Sequence, residues 1–238
     1  MSRSPAGWSV LVTAEHGGNH VPSEYRKLFE GQEELLASHR GWDPGTYTLA
    51  RALGTALKAR TVRSQSTRLL VDLNRSAHNP KVFSRITRAL SREERVKLLS
   101  RYHLPHWERT RDAVSRGIAE HGRVLHLGVH SFTPVLDRVV RKPDVALLYD
   151  PARPGELDLC TRWSDALAVA LPDRVIRRNN PYRGDADGMT TAFRRSFSAA
   201  RYLGIEIEVN QRHVGPDGSF PTWVAESLID TLRSSLTG

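Results

Sequence analysis

Val124-Leu-His-Leu-Gly-Val-His-Ser131 is the stretch on which the fold turns. It is short and strongly apolar, and it ends in a polar pair, so it reads as a buried strand with His130 and Ser131 at its carboxyl end. Three further runs have the same character: Trp8-Ser-Val-Leu-Val-Thr-Ala14, Val145-Ala-Leu-Leu-Tyr149 and Leu203-Gly-Ile-Glu-Ile-Glu-Val209. Between them the apolar period changes. Leu49, Ala50, Leu53 and Leu57 recur at helical spacing over 44–60, behind a start signal at Asp43-Pro44, with a carboxylate to cap and a proline in the first turn. Helices are also expected over 92–120, broken or kinked at Pro105, over 157–171 and over 222–236. Extended segments are expected at 61–65, 68–73 and 174–178, a loop at 179–188, and a further segment over 190–202. Short helical pieces, 24–29 and 33–39, fill an insertion near 20–42. Strands alternating with helices, without an internal repeat or a long linker, give one α/β domain over 1–238.

Polar residues that end apolar strands carry the chemistry, because in open α/β sheets the carboxyl ends of the strands build the site. Here those ends read Glu15-His16-Gly-Gly-Asn19, Asp72-Leu-Asn74-Arg75, His130-Ser131 and Glu208-Val-Asn-Gln211. Two histidines with several carboxylates suggest a zinc site beside a catalytic acid. Each residue also has a plainer explanation. His16 serves equally as a turn residue, His130 as a hydrogen-bonded core histidine, and Asp43 as a helix cap. Glu206 and Glu208 are two apart in a strand and share a face, so burial there would need a cation to meet them. His103-x-x-His106 reads as solvated surface. The chain has no HExxH, Walker loop, GxGxxG or GxSxG, and Cys160 has no base near it in sequence.

Composition sets the outer bounds. Of 238 residues, 39% are hydrophobic and 26% charged, enough apolar material for a large core and too much for a disordered chain. No run approaches the ~18 apolar residues of a helical membrane span. Met1–Trp8 lacks the apolar core of an export signal, and a single cysteine excludes both an internal disulfide and a cysteine-built zinc site; a reducing cytoplasm is expected. The net charge of +9 invites an anionic partner, either nucleic acid or a small acidic substrate. Only five of the 35 basic residues are lysine, the arginines are scattered from Arg3 to Arg233, and aromatics are only 7%. This pattern disfavours nucleic acid, which calls for clustered cations interleaved with stacking rings.

Seven motifs in order, from Ala14-Glu-His-Gly-Gly-Asn19 with Val21-Pro22 onward, resemble the N-formylglutamate amidohydrolase family. The others are Gly41-Trp-Asp43-x-Gly45, Leu70-Val-Asp-Leu-Asn-Arg-Ser76, His130-Ser-Phe-Thr-Pro134, Leu147-Leu-Tyr-Asp-Pro151, Arg178-Asn-x-Pro181-Tyr-Arg-Gly184 with Asp187-Gly188, and Gly204-Ile-Glu-Ile-Glu208. That family looks like a distant branch of the zinc carboxypeptidase and aspartoacylase clan. The resemblance implies a three-layer sandwich with a central mixed sheet flanked by helices, and metal-dependent hydrolysis of an amide. It implies Zn2+, or another divalent metal, held by His16, Asp43 and His130. The clan's compact His-x-x-Glu is missing, since Asn19 stands at the carboxylate's position; Asp43 is the preferred second ligand and Asn19 the fallback. The resemblance further implies Glu208 as catalytic base, with Glu206 on the same face as its rival, and Arg68 polarising the scissile carbonyl. Asn74 and Arg75 would grip the substrate carboxylate, and Tyr182 and Arg183 lie in a loop able to close over it. The implied substrate is a small acidic N-acyl amino acid, N-formyl-L-glutamate being typical, without membrane or nucleic acid. The alternatives are hydrolysis of another N-acyl amino acid or a short peptide, a basic nucleic-acid-binding protein, and a binding protein that has lost catalysis.

Overall fold

The structure, a computed structural model, describes residues 7–237; the reading of Met1–Trp8 as lacking an export signal falls largely outside that range. The first half runs β1 (Ser9–Ala14), a 3-10 turn (Ser23–Phe29), α1 (Glu33–Ala37), α2 (Thr46–Ala56), β2 (Arg60–Arg63), α3 (Arg85–Arg88), α4 (Arg92–Leu98) and α5 (Leu104–His121). There follow β3 (Val124–Phe132), the hairpin β4 (Val135–Leu136) and β5 (Val139–Val140), and β6 (Val145–Leu148). The chain closes with α6 (Pro154–Ala170), β7 (Ile176–Arg178), α7 (Met189–Ser196), β8 (Tyr202–Asn210) and α8 (Thr222–Thr237). Six strands form one sheet in the order β2-β1-β3-β8-β6-β7. β2, β1, β3 and β8 are mutually parallel, β6 runs antiparallel to β8, and β7 follows β6. The sheet is therefore mixed, and the carboxyl ends of four strands gather at one edge of it.

Period-two alternation sends the two faces of the sheet to different layers. Odd-numbered Leu125, Leu127 and Val129 of β3, with Ile205, Ile207 and Val209 of β8, join Leu49 and Leu53 of α2, Leu159 and Trp163 of α6, and Leu228 and Leu232 of α8 in the main core. Trp163 is fully buried, and its Nε1 donates to Thr231 Oγ1 at 3.0 Å, tying α6 to α8. The opposite face packs Leu11, Val124 and Tyr202 against Ala113 and Val114 of α5 and Met189 and Phe193 of α7. This second face is the polar one. His126 is buried in it between Thr13 Oγ1 (2.9 Å) and the Tyr202 hydroxyl (2.7 Å). Helices thus cover both faces of a single α/β domain. The segment around 20–42 packs Phe29 on Leu69, Leu70 and Leu98, a small apolar cluster separate from the main core.

Buried ion pairs account for some of the arginine. Glu156, fully buried on α6, accepts from Arg194 Nε at 3.0 Å and from the Gly204 backbone at 3.0 Å, fastening α7 to β8. Arg153 donates to the backbone oxygens of Arg194 and Tyr202.

Several local expectations are corrected. α2 starts at Thr46 with Gly45 as its N-cap at φ 82, so Asp43 caps nothing with its side chain; the helix also ends at Ala56, before Arg60. Residues 68–73, expected as extended, form turns and irregular chain rather than a strand. Pro105 does not break the helical run of 92–121. The helix widens into a π turn over Leu99–His103 just before it, where a regular turn would have needed the N–H that proline lacks. His103 and His106, expected on the surface, are both buried: His103, at the end of the π turn, has Nε2 2.7 Å from Arg75 O, and His106 of α5 faces Glu15 just past β1.

Candidate metal centre

Each residue of the centre is delivered by a strand end or by the loop that follows one. β1 runs directly into Glu15 and His16, and the chain then turns sharply at Gly17-Gly18. A Cβ on Gly18 would lie 2.5 Å from Gln65 O, and one on Gly17 2.9 Å from Ser64 O, so only glycine lets the turn close against the end of β2. His130 stands near the end of β3, opposite Glu208 in the β3·β8 register, and Gly128 stands opposite Glu206. Asp43 arrives from the loop before α2, its backbone N–H donating to His16 O at 2.9 Å.

The geometry converges on Asp43 Oδ2. It lies 3.1 Å from His130 Nδ1 and 3.4 Å from His16 Nδ1, and the three donor atoms sit within 4.8 Å of one another. Donors about 2.1 Å from one tetrahedral ion are about 3.4 Å apart, so the spacing suits a first-row divalent metal. Behind each imidazole stands a carboxylate. His16 Nε2 hydrogen-bonds Asp72 Oδ1 at 2.7 Å, and His130 Nε2 lies 3.3 Å from Glu15 Oε2, an ion-pair approach without hydrogen-bond alignment. Nδ1 facing the site with Nε2 backed by a carboxylate is the arrangement that fixes tautomer and ring orientation in metal-ligating histidines.

Charge points the same way. Asp43, Asp72, Glu15 and Glu208 are all buried around the two histidines, with Glu206 half-buried beside them and Arg68 the nearest fixed cation. Burial would raise the Asp43 carboxyl, but His16, His130 and Arg68 outweigh it and hold it well below the carboxylate range. Burial likewise opposes ionisation of His130, yet the Asp43 hydrogen bond and the Glu15 charge push it up to about 10. Carboxylates that favour positive charge on a buried histidine would favour a bound divalent ion in the same place. Glu208 behaves in the opposite sense. It is 6% exposed, its Oε2 finds no hydrogen-bond partner among the described residues, and burial raises its pKa from 4.5 to about 8 despite His130.

These groups line a cavity of about 470 Å³. All ten residues singled out in the sequence border it: His16, Asp43, His130, Glu206, Glu208, Arg68, Asn74, Arg75, Tyr182 and Arg183. Their engagements differ. Arg68 spends Nη2 and Nε on Asp72 (2.7 and 3.2 Å) and places Nη1 3.5 Å from Asp43 Oδ1. Glu206 accepts from Thr190 Oγ1 at 2.9 Å. Asn74 Oδ1 accepts from the Met189 backbone at 2.9 Å, which turns its Nδ2 toward His130. Arg75 Nη1 donates to Asp187 O at 2.6 Å. At the rim, Tyr182 OH accepts from Arg141 at 2.7 Å, and Arg183, its side chain 76% exposed, is already paired with Asp185 at 2.6 Å. Asn19 is not brought in: it is exposed, outside the cavity, and donates to Leu36 O at 3.3 Å.

Sequence reasoning passed over Glu15 and Asp72 as supports of the histidines, and misplaced His106, whose Nε2 lies 4.0 Å from Glu15 Oε1. For Glu15 a signal existed. It follows Leu11 and Thr13 at period two, so it points to the same polar face as His126 and His130.

Residues 8–214 match the N-formylglutamate amidohydrolase family. No curated protein matches the chain. Among solved structures, a gene product of Agrobacterium tumefaciens is 25% identical with a TM-score of 0.80, the match covering 98% of this chain and 92% of that one. The N-formylglutamate amidohydrolase of Ralstonia eutropha JMP134 is 19% identical with a TM-score of 0.65, over 98% of this chain and 92% of that one. With most of its length matched, this chain belongs to the N-formylglutamate amidohydrolase family.

Proposed function

We propose that the protein is a zinc-dependent hydrolase of N-acyl acidic amino acids, with N-formyl-L-glutamate, cleaved to formate and L-glutamate, as the typical substrate. The observation that carries this reading is the convergence of His16 Nδ1, His130 Nδ1 and Asp43 Oδ2, each imidazole backed by a carboxylate, beside the unpartnered buried Glu208. Two histidines and a carboxylate suit zinc, and an ion held there would acidify a water and polarise the amide carbonyl.

The chain's own groups do the rest. Glu208 takes the proton from the attacking water and hands it to the departing amine, a role matched to a carboxyl whose pKa lies near neutrality. Arg68, fixed by Asp72, faces the cavity with Nη1 and stabilises negative charge on the carbonyl oxygen. Asn74 and Arg75 hold the α-carboxylate of the leaving amino acid, with the guanidinium pre-aimed by its bond to Asp187 O. Tyr182 and Arg183 border the mouth, where Arg183 must exchange Asp185 for a substrate carboxylate. The lone, buried Cys160, whose thiol is pushed up by burial, fits a reducing cytoplasm and plays no part in the chemistry.

The test is metal content together with release of formate from N-formyl-L-glutamate, before and after chelation and again after zinc is restored. Activity should vanish with the metal and return with it. Protein purified without zinc that turns over no N-acyl amino acid would sink the reading.

A further inference from the structure

Beside the metal cavity lies a larger one, about 720 Å³, that nothing in the proposed reaction uses. The two cavities share Arg68, which Asp72 holds in place at 2.7 Å, so its guanidinium borders both. Arg40, Lys81, Arg85 and Arg88 also line the larger cavity, all exposed. None of the four is within salt-bridge distance of a carboxylate among the described residues; Arg88 donates only to the backbone oxygens of Pro80 and Phe83. Asp72, the one carboxylate among the described residues that lines this cavity, is already committed to Arg68 and to His16 Nε2. Four cations without a carboxylate partner among the described residues therefore line one concave space together with the apolar Leu35, Leu69, Phe83 and Ile86. Such a site fits an anion carried on an aliphatic stem, its charge met by the cations and its methylenes by the apolar side chains.

We infer that this basic groove receives a carboxylate-bearing acyl group, so that the enzyme prefers N-acyl amino acids whose acyl chain is longer than formyl and negatively charged at its far end. The direction rests on the proposed hydrolysis, in which Arg68 attends the scissile carbonyl and Asn74 and Arg75 attend the leaving amino acid. The acyl side then faces Arg68 and the groove beyond it. Formyl, a single carbon, does not reach past Arg68. A six-carbon diacid chain, extending up to about 3.5 Å per three-atom repeat, spans several ångströms further. Nucleic acid is disfavoured as the occupant, because among the described residues Phe83 is the only aromatic side chain lining the groove.

The experiment compares N-adipoyl-L-glutamate with N-hexanoyl-L-glutamate, acyl chains of equal length with and without a terminal carboxylate, using N-formyl-L-glutamate as reference. The zinc-loaded wild type should favour adipoyl over hexanoyl by at least tenfold in kcat/KM, and that preference should shrink as salt is raised. The double charge reversal Lys81→Glu/Arg85→Glu should abolish the preference through KM while the N-formyl substrate keeps its kcat/KM within about twofold. Equal rates on adipoyl and hexanoyl substrates, or an equal loss on all three, overturn the inference. A calorimetric titration of N-adipoyl-L-glutamate into Glu208→Gln protein, with and without the charge reversal, separates the two claims. Binding that weakens at least tenfold on reversal supports the groove even where no substrate is turned over, a result that overturns the hydrolysis alone. A Kd unmoved by reversal overturns the groove and leaves the hydrolysis standing.

Discussion

Replacing Glu208 by glutamine tests both the chemistry and the electrostatics of the centre. The side chain keeps its volume in a buried position, but it can neither accept a proton nor carry a charge. General-base catalysis by a placed carboxylate contributes about 10²–10⁴-fold, so kcat should fall by that factor, roughly 3–5 kcal/mol of barrier, while zinc content is unchanged. A second effect follows from linkage. Glu208 titrates near 4.5 when unfolded and near 8 when folded without metal. Between those values the folded state holds a proton that the unfolded state has lost, so stability declines as pH rises through that window and levels off above about 8. The full decline corresponds to about 5 kcal/mol at 1.36 kcal/mol per pH unit. Metal-free Glu208→Gln protein is spared this cost. Its stability advantage over the wild type should be negligible near pH 4, grow through neutrality, and plateau above pH 8. Urea unfolding of both metal-free proteins between pH 4 and 9 measures it, alongside kcat of the zinc-loaded forms. Wild-type and variant curves that stay parallel across the range would refute the assignment of a raised pKa, and a kcat within fivefold of wild type would refute the base. Glu206→Gln is the control: its carboxylate already accepts from Thr190, and its loss should cost no more than about tenfold in kcat.

Other consequences follow from the same geometry. Asp43→Ala should abolish zinc binding, whereas Asn19→Ala should leave it intact, since only Asp43 meets both histidines; elemental analysis after dialysis reads the difference, and the reverse result overturns the ligand set. Asp72→Asn should weaken zinc affinity about 10–100-fold by loosening His16 and Arg68, measured by competition with a chelator; an unchanged affinity would deny Asp72 its supporting role. Far from the centre, Glu156→Ala leaves Arg194 buried without its partner and should cost about 3–5 kcal/mol in denaturant unfolding; a loss under 1 kcal/mol would show that the pair is not what joins α6, α7 and β8.

Reading the sequence worked best where the physics is local. The strands around Val124–His130 and Leu203–Val209 announce themselves by unbroken apolar runs, and period two alone puts Glu206 and Glu208 on one face. Strand ends then point to His16 and His130. Asp43 shows the limit. Its neighbours spell a helix start, yet Gly45 takes the cap and the carboxylate turns to partners 27 and 87 residues away. His103 and His106 mislead for the same reason, since in a mostly polar helical run only distant contacts, Arg75 O for His103 and Glu15 for His106, decide which histidines are buried. The scattered arginines likewise gain meaning only in space: Arg194 in a buried pair, Arg68 between two cavities, and Arg40, Lys81, Arg85 and Arg88 around one groove.

The amino-acid sequence by itself thus determined the α/β class, the main buried strands, and the residue types at the strand ends, because apolar periodicity and turn chemistry act over a few residues. Tertiary structure alone decided which carboxylate meets which histidine, how Glu15 and Asp72 back them, and where unpaired positive charge collects. Those are contacts between segments tens of residues apart, set by the parallel crossovers that bring β1, β3 and β8 side by side.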